Sequence, residues 1–93
     1  MKESEVEKYL DWTARKIGGE TWKFRSPSQR GVSDRIVCLP DGSTWFIELK
    51  RPGGRLSKLQ ELFAVKMQTL NQNYACLWSK EMIDEWVSGL PKR

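Results

Sequence analysis

Three charged side chains lie where local structure alone does not explain them: Asp34, Glu48 and Lys50. Asp34 opens the run Asp34 to Leu39, and Glu48 and Lys50 close the run Thr44 to Lys50. Both runs are otherwise mostly β-branched, aromatic or apolar. They flank Pro40-Asp41-Gly42-Ser43, and Asp-Gly is the strongest short-range hairpin signal. The acids therefore fall at the hairpin end away from the turn. Ionised carboxylates are costly at partly buried positions unless paired or bound to a cation. Glu48 and Lys50 are two apart, so they leave one face of their strand. An ideal two-residue turn at Asp41-Gly42 sets Asp34 opposite Leu49. A one-residue bulge or a three-residue loop sets it against Glu48 or Lys50 instead. The sequence leaves this open by one residue, and in each register the three groups lie within one strand step.

Two carboxylates and an amine at one sheet end suit a specific chemistry. The carboxylates can hold Mg²⁺, a hard cation that prefers oxygen ligands. Such an ion polarises a phosphodiester oxygen and lowers the pKa of bound water. The Lys50 ammonium can orient the attacking water or neutralise charge developing on phosphorus oxygens. The competing reading is a plain salt bridge from Lys50 to Glu48 or Asp34.

Stepping along the chain, the elements that must position these groups follow an α-β-β-β-α-β-α order. Val6, Leu10, Thr13 and Ile17 recur at helical spacing until Gly18-Gly19, and Ser4 with Glu7 fits a capping box. Thr21 to Phe24 reads as a strand, followed by a loop over 25–32. The hairpin follows, then the loop Arg51 to Arg55. Leu59, Phe63, Met67 and Leu70 share one face of a second helix, with a capping box at Ser57 and Gln60. Tyr74 to Trp78 reads as a buried strand. Ser79 caps a last helix bearing Met82, Ile83, Trp86 and Val87. Helices at both ends of a hairpin-containing sheet make a small mixed α/β fold.

Composition narrows the function. The 93 residues are 39% hydrophobic, enough for one core, so residues 1–93 are expected to form a single domain without a separate cofactor domain. There is no histidine, which excludes a Ser-His-Asp triad, a Cys-His dyad and a His-bearing zinc finger. Two cysteines, Cys38 and Cys76, are too few for a zinc site and read as buried reduced thiols. A charged N-terminus and the lack of a long apolar run lead to the expectation of a soluble cytoplasmic protein with no membrane partner. The net charge is +4, but residues 23–58 carry eight basic and three acidic side chains. The excess therefore lies in the hairpin and its flanking loops, where Lys23, Arg25, Arg30, Arg51, Arg55 and Lys58 suit contact with a phosphate backbone.

The same residues carry a family resemblance. Asp34 followed by Glu48-Leu49-Lys50 resembles the PD-(D/E)XK nuclease motif. With Lys23 to Pro27, Gly31 to Val37, Phe46 to Lys50, Pro52 to Ser57 and Gln60, the chain resembles the virus-type replication-repair nuclease (VRR-NUC) domain over nearly its whole length. The resemblance implies a restriction-endonuclease-like core and a Mg²⁺- or Mn²⁺-dependent DNA endonuclease without an organic cofactor. It implies a homodimer acting on branched DNA such as Holliday junctions. By resemblance, Asp34 and Glu48 are metal ligands, the Leu49 carbonyl is another, and Lys50 is the catalytic lysine. A first-helix acid completes the site, with Glu7 the first choice and Glu3 the second. Gln60 matches a family position while also fitting the capping box. Ser33 stands where the family usually has proline, which stiffens backbone rather than doing chemistry. The alternative function is a non-catalytic basic DNA-binding module. A third reading uses the five tryptophans (Trp12, Trp22, Trp45, Trp78 and Trp86) at a protein interface.

Overall fold

The computed structural model describes residues 2–91. Its elements are α1 (Glu3–Lys16), β1 (Glu20–Lys23), β2 (Arg35–Cys38), β3 (Thr44–Leu49), α2 (Lys58–Thr69), β4 (Asn73–Leu77) and α3 (Lys80–Ser88). The four strands form one mixed sheet in the order β1-β2-β3-β4. The first three are antiparallel, and β4 runs parallel to β3 because α2 carries the chain back across the sheet.

The sheet has two unlike faces. On one, Val37, Leu39, Ile47, Leu49 and Leu77 pack with Val6, Leu10 and Ala14 of α1 and Ile83 of α3. Most of these side chains are fully withdrawn from solvent, and Trp45 meets Trp86 edge-on at 5.5 Å between ring centroids. The other face is covered by α2 over β3 and β4. Phe63 of α2 contacts Phe46 and Tyr74 with ring centroids 6.1 and 6.2 Å apart. No residue of α2 is fully buried.

Several expected details change. Ser4 lies inside α1, whose N-cap is Lys2 without a side-chain cap, so there is no Ser4–Glu7 capping box and Glu7 is free for another partner. Ile17 is the exposed C-cap of α1, and Ala14 takes the core position. The inward residues of α2 are Gln60, Phe63, Ala64 and Met67, whereas Leu59 and Leu70 face solvent. Trp78 falls just past β4 and is exposed, and both cysteines are half-buried free thiols rather than buried ones.

The hairpin resolves the open register. Gly42 N–H donates to the Leu39 carbonyl at 3.0 Å, and Leu39 N–H donates to the Ser43 carbonyl at 2.9 Å. Pro40-Asp41-Gly42 is thus a three-residue loop, with Gly42 at φ +88°, a region that favours glycine. Cys38 pairs with Thr44 and Arg35 with Ile47. One step further along this ladder, Asp34 stands opposite Glu48.

Candidate active site

Asp34, Glu48 and Lys50 leave the α2-covered face of the sheet at one end. Glu48 is only 3% exposed. Its Oε2 accepts from Gln60 Nε2 at 3.2 Å and lies 3.9 Å from Lys50 Nζ. Gln60 does two jobs with one amide. Its Oε1 accepts from Ser57 N–H at 2.8 Å, which completes the capping box with the Ser57 hydroxyl, while its Nε2 reaches the carboxylate. The helix N-terminus and the site are therefore locked together through one side chain.

Neither acid is comfortably neutralised. Asp34 Oδ1 is buried and accepts no hydrogen bond. Burial raises the Asp34 pKa, against hydrogen bonds from the backbone N–H groups of Leu49 and of Asp34 itself. Burial also pushes Glu48 up to about 7; repulsion from Asp34 adds to this and Lys50 opposes it. Two facing acids with raised pKa values and an orphaned oxygen lack positive charge between them. That donor set fits a hard divalent cation bound by carboxylate oxygens. Among the described residues, no three acidic, cysteine or histidine side chains are already grouped at ligand spacing.

The first helix supplies a correction. Glu7 does not face this pair. Its Oε1 takes Arg35 Nη2 at 2.6 Å and Lys23 Nζ at 3.2 Å on the opposite face of the sheet. Asp11 joins them through Arg35 Nη2 at 3.3 Å and the Thr21 hydroxyl at 2.7 Å. Arg35 pairs with Ile47, so it points away from the Asp34 and Glu48 face, and its side chain is 8% exposed. Glu3, one helical turn before Glu7, is the α1 acid whose charge acts on both Asp34 and Glu48.

The cation list also divides. Lys23 is turned to Glu7, away from the carboxylate face. Arg25, Arg30, Arg51 and Arg55 are exposed in the two loops beside the site, and Lys58 is exposed at the first position of α2. Gly31 fastens the first loop to α2. It has φ +89°, and a Cβ there would collide with the Leu59 backbone, so no other residue fits without moving the loop. The sequence reading of Cys76 as a buried thiol did not place it beside Glu48, with which it pairs in the β3–β4 register. Burial, reinforced by Glu48, pushes its thiol up to about 11, so it is a packing neighbour rather than a nucleophile. A cleft of about 350 Å³ lies at the other end of the sheet, between Leu39, Pro40, Asp41, Ile17, Val87 and Leu90. The carboxylates lie outside it.

The chain is 43% identical over 75 residues to "Putative nuclease p44" of Acyrthosiphon pisum secondary endosymbiont phage 1, covering 75% of this chain and 81% of the relative. A solved structure described as a VRR_NUC domain superposes with a TM-score of 0.89 over 96% of this chain and 97% of that one, at 23% identity, a likeness of fold. No family model matches the sequence. With the Asp34, Glu48 and Lys50 group assembled on the fold of a VRR_NUC domain, the chain belongs to the family of the phage "Putative nuclease p44".

Proposed function

We propose that this nuclease is a Mg²⁺- or Mn²⁺-dependent endonuclease that cuts branched DNA as a homodimer. The observation that carries the metal is the facing pair Asp34 and Glu48, with a buried carboxylate oxygen that accepts no hydrogen bond. Asp34 and Glu48 would hold the ion with the Leu49 carbonyl, and Glu3, in place of Glu7, would complete the set. Bound there, the ion would polarise a phosphodiester oxygen and ease deprotonation of water.

The chain's own groups do the rest. Gln60 positions Glu48 by its hydrogen bond to Oε2. Lys50 sits close enough to the pair to orient the attacking water or offset charge on the phosphoryl oxygens. Arg25, Arg30, Arg51, Arg55 and Lys58 hold the backbone on either side. Leu59, Leu62, Val65 and Leu70 form an exposed apolar stripe on α2, more than a monomer needs, which supports the dimer. Two protomers would present two cutting sites to one branched substrate.

Cleavage of a synthetic four-way junction with Mg²⁺ or Mn²⁺ tests this reading. The parent should cut, and Lys50→Ala and Asp34→Asn should lose nearly all cutting while still binding the junction. Equal cutting by parent and variants would overturn it. Binding without cutting in the parent would favour a non-catalytic DNA-binding module.

A further inference from the structure

Trp22 and Phe24 leave β1 on the same face as Asp34 and Glu48. Trp22 pairs with Ile36, and Phe24 N–H donates to the Asp34 carbonyl at 2.9 Å. Phe24 therefore stands in the same cross-strand row as Asp34 and Glu48. The rings are 53% and 40% exposed, because α2 covers only the β3 and β4 side of this face. The core has no use for them in that position. Beyond Phe24 the chain enters the loop bearing Arg25 and Arg30, both exposed, and Gly31 holds that loop against α2.

We propose that Trp22 and Phe24 form a stacking platform for an unpaired nucleobase beside the cutting site, with Arg25 and Arg30 taking the flanking phosphates. This rests on the nuclease reading above and names what selects its substrate. Charge complementarity favours this occupant. A strand of nucleic acid needs a neutral aromatic surface for its base and cations for its phosphates, and the two lie side by side here. In intact duplex the bases are stacked on one another and offer only their edges, so the rings can be used only where a nucleotide is unpaired. A flap, fork or gap at a branch supplies such nucleotides.

Binding measured in EDTA separates this platform from cleavage. The probes are a short fluorescein-labelled oligothymidylate and a blunt duplex of equal length, read by anisotropy. The double variant Trp22→Ala with Phe24→Ala should lose about tenfold or more in affinity for the single strand and keep its affinity for the duplex. Trp22→Phe should keep single-strand affinity and lose most of the fluorescence quench that the parent shows on binding. Unchanged single-strand affinity, equal losses on both probes, or an undiminished quench in Trp22→Phe would overturn the platform. So would a shift from dimer to monomer in sedimentation of the double variant, which would assign the rings to a second copy of the chain. Failure to cut junctions with the binding pattern intact would count against the cutting chemistry and not against the platform.

Discussion

The two faces of the sheet each carry a pair of acids, and they are treated in opposite ways. On the α1 face, Glu7 and Asp11 converge on Arg35, with Lys23 adding a second cation at Glu7. Their charge is satisfied within the fold. On the α2 face, Asp34 and Glu48 face each other, and the nearest cation is Lys50 at 3.9 Å. Consecutive residues separate the two systems, since Arg35 and Asp34 point to opposite sides of one strand. The difference teaches that residue type alone does not tell a satisfied acid pair from an unsatisfied one. A closed acid pair ties the helix to the sheet, whereas an open pair stores electrostatic strain that a ligand can relieve.

Breaking each pair should therefore have opposite consequences. The largest effect is on cutting: Glu48→Gln should reduce junction cleavage about a thousandfold, while Glu7→Gln stays within about tenfold of the parent. Steady-state cleavage of both variants checks this. Next, Arg35→Met should destabilise the protein by about 3 kcal/mol in urea unfolding, because it strands Glu7 and Asp11 without their cation. The sign reverses on the open face. Glu48→Gln should stabilise the metal-free protein by about 2 kcal/mol at pH 8. An acid with a raised pKa penalises the fold only when ionised. Its penalty is absent below the unfolded value of 4.5, grows with pH and is complete above about 7, so the gain should vanish by pH 4. Thermal melts across that range measure it. The smallest effect concerns Ser33, whose buried hydroxyl has no partner. Ser33→Ala should add about 1 kcal/mol and leave cleavage unchanged.

Much of this contrast was legible in the residues. The hairpin, the Asp34, Glu48 and Lys50 group and the Ser57–Gln60 cap follow from local chemistry, and local chemistry is what short-range spacing records. The register needed more. Asp41-Gly42 is compatible with turns of two or three residues, and the choice rests on Gly42 closing a turn that begins at Leu39. The choice between Glu3 and Glu7 depended on how α1 is rotated over the sheet. Arg35 decides that rotation by drawing Glu7 and Asp11 to the far face, a contact 28 residues apart in the chain for Glu7. The α2 face was misassigned for a similar reason. Leu59 and Leu70 fit its apolar spacing, but Gln60 is pulled inward by Glu48 and turns them toward solvent.

Binding of Mn²⁺, followed by electron paramagnetic resonance, tests the open pair most directly. The parent and Glu7→Gln should bind the ion with similar affinity, and Asp34→Asn and Glu48→Gln should lose it. Parent-like binding by Glu48→Gln, or loss of binding by Glu7→Gln in a protein that remains folded, would contradict the assignment of the α2 face as the metal site.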